Sequence, residues 1–264
     1  MPDRRWNFGH DKITDLLKLC EKFIEKHGTD NETLQCAIGV LRTYLKEHES
    51  SGVKVPDAIS SKISLLTAKI PGESVAQKRL SKDEYFSLAD SKFPEFTQSR
   101  SSIRNYTSEK IPTSKIMDAI EIAQSAPSAC NRQPIRVYVL QDRQQIDQAL
   151  TCQNGNRGFG HLADTLIVIT YSISSYRGAQ ERHFGWIDCG IFSMNLMLAL
   201  HHLKIACCPL NAGMSTKKQN LVREICGIPT SEAVCLFLSC GNLPNNVDIA
   251  RSTRKRVEDI VKVL

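Results

Sequence analysis

The chain has 264 residues, of which 41% are hydrophobic and 23% charged, a composition typical of a soluble globular protein. No stretch approaches the roughly 20 apolar residues of a membrane-spanning helix, so we expect no membrane contact. A net charge of +6 spread along the chain, with only 6% aromatic residues, argues against nucleic-acid binding. The basic N-terminus lacks a following apolar core, so no secretory signal is expected and a cytoplasmic location is predicted.

Ten cysteines are scattered through the sequence, several of them inside apolar runs such as "IACCPL" at residues 205–210. Thiols in such surroundings are typical of protein cores, so we expect buried cysteines rather than a disulfide framework. The sequence has no Cys-x-x-Cys pair, and His201 and His202 have no cysteines at zinc-finger spacing. No metal site is predicted.

The first ninety residues favour helices. Helical spacing of apolar residues predicts helices at 11–28, 31–50, 59–70 and about 82–90. Gly28 follows the first helix as a C-cap, and Asn31 is a predicted N-cap of the second, so these two helices are expected to pair as a hairpin. We therefore predict a helical N-terminal extension of residues 1–95.

From about residue 100 onward, helices alternate with short β-branched strands. Helices are predicted at 113–125, 142–150, 180–203 and 216–227, and strands at 136–140, 165–171, 205–210 and 233–241. The strand at 165–171 is apolar throughout, as in strands buried on both faces. The helix at 180–203 has an almost wholly apolar middle, which predicts burial inside a domain or at a subunit interface.

Common catalytic signatures are absent from the sequence: there is no Gly-x-Ser-x-Gly elbow, no His-Glu-x-x-His pair and no glycine-rich phosphate loop after a strand. Four polar clusters stand out instead, at residues 99–107, 126–134, 208–213 and 251–256. Arginines in the first and last clusters suit a phosphate, and the backbone near Asn211 and Ala212 suits a planar heterocycle. The clusters together favour a mononucleotide-like cofactor, whereas residues 99–107 alone would also fit a solvated turn.

Residues 99–264 resemble the flavin-dependent nitroreductase family in five ordered motifs. The family's opening motif is matched by "RSSIR", and its helix-ending Pro-Ser motif by "PSACNRQP". "NRGFGHLADTLIVI" resembles the segment in which an asparagine, here Asn156, precedes a buried strand. "CPLNAG" resembles the turn beside the flavin ring, and "STRKRVEDIV" resembles the closing basic motif.

The resemblance implies an α+β fold, namely a three-layer α/β/α sandwich over residues 96–264 that follows the helical extension. It also implies a homodimer with flavin mononucleotide (FMN) bound at the subunit interface by residues of both chains. On this interpretation the apolar helix at 180–203 lies in that interface.

The family's cofactor contacts transfer to this sequence position by position. Arg100 and Arg254 would hold the FMN phosphate, although Arg254 has rivals in its neighbours Arg251, Lys255 and Arg256. Arg104 would reach the pyrimidine edge of the ring, where a cation stabilises the reduced flavin. The other implied contacts are Ser101 and Ser102 near the phosphate, Pro127, Ser128 and Ala129 from the partner subunit, Asn131, Gln133 and Asn156 near the ring or ribityl chain, and Pro209, Leu210, Asn211 and Ala212 along the ring.

The implied activity is that of an oxidoreductase that accepts hydride from NADH or NADPH and reduces a small planar or conjugated acceptor by ping-pong chemistry. No catalytic side chain is expected, because the flavin carries the reaction. Ile135 replaces a frequent aromatic residue and Asn211 replaces a glutamate of some relatives, so the acceptor stays open. The alternatives are a specialised biosynthetic or dehalogenating flavoenzyme, or a flavin-binding regulatory module. For Asn156, a left-handed turn is the competing interpretation.

Overall fold

The computed structural model describes residues 6, 9–70, 92–245, 247, 249 and 254–264. They fall into two compact units, one within residues 1–91 and the other within residues 92–264. The short helix predicted at about 82–90 and the predicted rival Arg251 lie outside the described residues. None of the described helices is both long and apolar enough to cross a membrane.

The N-terminal unit consists of three helices that pack against one another: α1 (His10–His27), α2 (Glu32–Ser50) and α3 (Asp57–Ala68). The apolar faces that the sequence predicts meet in one core, which includes Leu17, Cys20, Ile38, Leu41 and Ile63. The helices predicted at 11–28, 31–50 and 59–70 are therefore confirmed.

Side chains satisfy backbone groups at two helix ends of this unit. Asn31 Oδ1 accepts a hydrogen bond from Leu34 N at 3.4 Å, as expected for an N-cap. Arg42 Nη2 donates to Thr67 O at 3.0 Å and to Ile70 O at 2.6 Å. These two carbonyl oxygens lie at the C-terminal end of α3, where helical partners are missing.

The C-terminal unit contains five helices and four strands among its described residues. The helices are α4 (Phe93–Ser99), α5 (Thr113–Ala123), α6 (Arg143–Cys152), α7 (Phe184–His202) and α8 (Thr216–Cys226), and the strands are β1 (Ile135–Leu140), β2 (Thr165–Ser172), β3 (Ala206–Asn211) and β4 (Glu232–Gly241). The strands form one sheet in the order β1-β2-β4-β3, and all neighbouring pairs are antiparallel.

Helices cover both faces of this sheet. Successive residues of the inner strand β2 point to opposite faces, so their neighbours show which helices pack on each face. Leu166 and Val168 lie in a core with residues of α6 and α8. Ile167 and Ile169 lie in a second core with residues of α5 and α7. This arrangement confirms the predicted three-layer α+β fold.

Helix α7 starts four residues later than predicted, at Phe184, because residues 179–181 form a separate 3₁₀ turn. Its inner face is buried against the sheet, for example at Leu196 and Leu200. Its outer face is also apolar but is 41–55% exposed at Trp186, Ile187, Ile191 and Met194. Within a single chain, α7 is therefore buried on one face only.

Candidate cofactor-binding site

A polar pocket of about 470 Å³ lies between the segment around the end of α4 and helix α7. We name it the arginine pocket, and its lining residues are Thr97, Gln98, Arg100, Ser101, Ser102, Arg104, Met194 and Arg254. Five of these eight residues are predicted cofactor contacts, and three of the five are arginines. The fold thus brings the first and last polar clusters of the sequence into one pocket.

The basic segment, residues 99–107, is fixed to the edge of the sheet. Ile103 N donates to Cys207 O of β3 at 3.0 Å. The Tyr106 hydroxyl lies 2.7 Å from Ile103 O and 2.9 Å from Ser239 O of β4. Ile103 and Tyr106 are buried in the core. The polar residues of the same segment that line the pocket are Arg100, Ser101, Ser102 and Arg104.

Arg100 has an unsatisfied hydrogen-bond donor. Its Nη1 atom is buried and has no acceptor among the residues that the structure describes. Burial, and then the Arg100 guanidinium, lower the pKa of His201, whose Nε2 lies 2.8 Å from Ser99 Oγ. A buried charged donor without an acceptor raises the free energy of the protein, and a bound anion would lower it again. The arginine pocket therefore fits an oxyanion such as a phosphate group.

Arg104 occupies a different position from Arg100. Its Cζ atom lies 5.9 Å from the centroid of the buried Phe159 ring, which is a cation–π distance. Burial raises the pKa of Cys208 in β3, and Arg104 and Arg100 counteract this rise. Two arginines of the basic segment therefore make the environment of Cys208 electropositive.

A second predicted cluster forms the tethered loop, residues 127–133, between α5 and β1. Ser128 Oγ accepts a hydrogen bond from Gln133 N at 3.0 Å, which closes the loop on itself. Pro127, Ser128 and Gln133 line a second pocket of about 290 Å³ that also includes Asp188 of α7. None of the loop residues lines the arginine pocket.

An apolar depression of about 610 Å³ on α7 lies next to both pockets. We name it the α7 groove, and it is lined by Ser125, Ala126, Pro127, Gly190, Ile191, Met194, Asn195 and Leu198. Met194 also lines the arginine pocket, and Pro127 also lines the second pocket. The α7 groove therefore shares a lining residue with each of the two pockets.

The other predicted contacts lie outside the arginine pocket. Asn156 Nδ2 donates to Leu150 O at 2.9 Å and to Gln153 O at 2.7 Å, so this amide group structures its own loop. At the end of β3, Leu210 is buried in the core and Asn211 O accepts from Gln153 Nε2 at 3.1 Å. Pro209 and Ala212 flank these two residues. The flavin contacts of these residues remain predictions.

Thr97, Gln98 and Met194 line the arginine pocket without having been predicted. Thr97 and Gln98 lie in α4, directly before the first motif, and their proximity to that motif was the only signal. Met194 is one of many apolar residues in α7, and its sequence context does not separate it from the others.

The family model described as "Nitroreductase family" matches residues 97–155 and 151–242, which is more than half of the chain. The chain belongs to the nitroreductase family. The predicted resemblance is thereby confirmed, and the family assigns the chain to the oxidoreductases. The matched residues lie within the C-terminal unit, so the three-helix N-terminal unit lies outside the match.

Individual members of the nitroreductase family agree with this assignment. A protein of Archaeoglobus fulgidus, provisionally named NADH dehydrogenase/NAD(P)H nitroreductase, is 27% identical over 146 residues, which cover 54% of this chain and 80% of that protein. The crystal structure of a nitroreductase family protein from Streptococcus pneumoniae is 21% identical with a TM-score of 0.58, covering 66% of this chain and 100% of the other. A provisionally named nitroreductase from Desulfovibrio desulfuricans was crystallised in complex with FMN. It is 18% identical with a TM-score of 0.56, covering 65% of this chain and 96% of the other.

Proposed function

We propose that this protein is an FMN-dependent oxidoreductase that accepts hydride from NADH or NADPH and reduces a small planar or conjugated acceptor by ping-pong chemistry. The observation that carries the proposal is Arg100 Nη1, a buried donor without an acceptor among the described residues, in a pocket with two further arginines. FMN offers a phosphate group that matches this donor. The structural relative from Desulfovibrio desulfuricans, which was crystallised with FMN, supports the choice of cofactor.

The residues of the arginine pocket would hold the two ends of FMN differently. Arg100 and Arg254 would bind the phosphate, because guanidinium groups present paired donors to its oxygens, and the hydroxyls of Ser101 and Ser102 would add further donors. Arg104 would place its charge near the pyrimidine edge, where a cation favours the reduced form. Bound FMN would supply the hydride chemistry, and the chain would supply orientation and charge.

The outer face of α7 supports a homodimer as part of this proposal. Contiguous exposed apolar side chains are typical of interaction surfaces, and those of α7 are Trp186, Ile187, Ile191 and Met194. In such a dimer, Pro127, Ser128 and Ala129 of one subunit would contact the FMN held by the arginine pocket of the other. Asn131, Gln133, Asn156 and Pro209–Ala212 would complete the contacts with the ring and the ribityl chain.

The helical region would form a separate domain of residues 1–95, followed by the FMN-binding domain of residues 96–264. The three helices α1, α2 and α3 have a core of their own, and the family match begins only at residue 97. A cytoplasmic location is also part of the proposal.

The test is to purify the protein, release any bound cofactor for mass spectrometry, and titrate the cofactor-free protein with FMN. Anaerobic addition of NADH and NADPH in separate samples should bleach the flavin absorbance with one or both donors. Protein without a yellow colour that also fails to bind added FMN would overturn the proposal. FMN binding without reduction by either donor would favour the alternative of a regulatory module.

A further inference from the structure

The tethered loop keeps three residues in a backbone conformation that side chains disfavour. Cys130, Asn131 and Gln133 have φ values of 53°, 54° and 47°. A Cβ atom crowds the backbone in this left-handed region, so only glycine, and to some degree asparagine, adopts it readily. Such a conformation persists only where the surrounding contacts impose it. The contacts that hold this loop therefore show what keeps its backbone in the disfavoured conformation.

The buried carboxylate of Asp188 in α7 provides one of these contacts. Asp188 is only 4% exposed. Its Oδ1 and Oδ2 atoms accept from Ala129 N of the loop at 3.2 and 3.0 Å. Oδ2 also accepts from the Tyr176 hydroxyl at 2.7 Å. Burial, together with the Asp188 carboxylate, raises the pKa of Tyr176 well above its usual value, so this hydroxyl remains a donor.

Arg132 provides a second connection between the loop and the same region. Its guanidinium donates to both carboxylate oxygens of Glu181, at 2.7 and 2.9 Å, and to Ser175 O at 3.1 Å. The hydrogen bonds from Arg132, and then that from Arg177 N, lower the pKa of Glu181 to about 2. Arg132 Nη1 and Nη2 are therefore both engaged by the segment that precedes α7.

Tyr176 belongs to both connections. Its hydroxyl contacts Asp188, and its ring centroid lies 5.8 Å from Arg132 Cζ. Tyr176 and Glu181 both come from residues 173–183, the connection between β2 and α7, to which none of the sequence motifs assigned a role. The structure thus places this connection against the tethered loop.

We propose that Asp188 is a positioning residue that fixes the tethered loop in the shape that contacts the flavin. The inference rests on the proposed function, because it takes FMN as the ligand of the loop. Asp188 acts through the Ala129 N–H and does not itself react. Pro127, Ser128 and Gln133 share a pocket with Asp188, so a displaced loop would change the walls of that pocket.

The test compares Asp188→Ala and Asp188→Asn in the full-length protein. Alanine leaves both the Ala129 N–H and the Tyr176 hydroxyl without their acceptor, whereas asparagine keeps one acceptor oxygen at nearly the same place. Glu232→Ala is the matched control, because Glu232 is also a buried carboxylate that accepts from a tyrosine hydroxyl, that of Tyr138 at 3.0 Å. The measurements are hydrogen exchange of the backbone amides of 128–133 without cofactor, and the dissociation constant for FMN from fluorescence quenching.

Asp188→Ala should speed loop exchange and weaken FMN binding, each about tenfold, since a hydrogen bond to a charged group is lost. Asp188→Asn should keep the loop exchange rate and the FMN affinity close to those of the wild type, and Glu232→Ala should change neither quantity. An unchanged exchange rate of the loop amides in Asp188→Ala would overturn the inference. Faster exchange in Asp188→Ala would also overturn it if this variant bound FMN as tightly as Glu232→Ala does. If wild-type protein binds no FMN, the proposed function fails and the assigned role toward the flavin fails with it. Faster amide exchange in Asp188→Ala would then still show that Asp188 fixes the conformation of the loop.

Discussion

The basic segment and the tethered loop are two polar stretches of similar length that satisfy their hydrogen bonds in opposite ways. In the basic segment, Arg100 keeps a buried donor that has no acceptor among the described residues. In the tethered loop, Ser128, Ala129 and Arg132 all bond within the protein, to the loop itself, to α7 or to the connection before it.

This difference indicates that the basic segment binds a ligand, whereas the tethered loop sets the shape of the protein surface. A segment with an unsatisfied charged donor gains most when a ligand arrives, whereas the groups of the tethered loop that are already paired gain little from new hydrogen bonds. The basic segment should therefore determine how tightly an anion is held, and the tethered loop should determine the shape of the surface beside it. The following four predictions test this division.

The largest effect is expected for Arg100→Ala. Loss of charge-assisted hydrogen bonds to a phosphate should weaken FMN binding about 30- to 100-fold. The matched control is Arg143→Ala, since the Arg143 guanidinium already donates to Ala163 O and Asp147. Titration of both variants with FMN checks this, and equal losses in the two variants would contradict the assignment of Arg100 to the phosphate.

Arg104→Ala should act on the reactivity of bound flavin more than on its retention. A cation near the pyrimidine edge stabilises the reduced form, so its removal should make the reduction potential more negative. A tenfold loss of preference for the reduced form corresponds to about 30 mV for a two-electron couple. Spectroelectrochemistry of the bound flavin measures the shift. An unchanged potential combined with a loss of affinity as large as that of Arg100→Ala would remove the distinction between the two arginines.

Substitutions at Cys130 should reveal the backbone strain of the tethered loop. Cys130 is exposed and has a φ of 53°, so glycine should be tolerated there, whereas β-branched valine should not. We expect Cys130→Val to be less stable than Cys130→Gly by about 1 kcal/mol in urea denaturation. The same pair of substitutions at exposed Cys36 within α2 should give the reverse order, because glycine weakens helices. Equal stabilities of the Cys130 variants would mean that the loop carries no strain at this position.

The smallest effect concerns the pH dependence of stability near the basic segment. Because the pKa of His201 is lowered in the folded protein, the unfolded chain binds more protons at mildly acidic pH. Wild-type stability should therefore fall slightly as the pH drops below about 6.5, the ordinary pKa of histidine. His201→Gln should lack this component, and bound phosphate should reduce it in the wild type. Thermal melts at a series of pH values decide this, and identical pH profiles for the two proteins would refute the role of His201.

Much of the fold was predictable because local patterns and burial agree. The continuous apolar run of β2 predicts a strand buried on both faces, and Thr165–Tyr171 are indeed buried. The predicted start of α7 was wrong by four residues because apolar periodicity does not show that residues 179–181 form a separate turn, in which Glu181 is engaged by Arg132.

The site was predictable only in part. The arginines could be proposed because their motifs follow one another in order, but the meeting of Arg100 and Arg254 in one pocket depends on tertiary structure. Asp188 belongs to no motif. The available signal was that it is the only aspartate or glutamate in α7, a helix that is otherwise almost entirely apolar. A lone carboxylate in such a helix indicates a buried hydrogen-bonding role, but its partner, Ala129 N, lies 59 residues away in sequence.

Met194 forms part of the wall of both the arginine pocket and the α7 groove. A ligand in the pocket and a second subunit on the groove would therefore contact the same side chain. Coupling between two binding events is reciprocal, so any factor by which FMN strengthens self-association is also the factor by which self-association strengthens FMN binding. In the proposed dimer, cofactor affinity and subunit concentration would therefore be linked in one equilibrium, with the Met194 side chain as a contact of both.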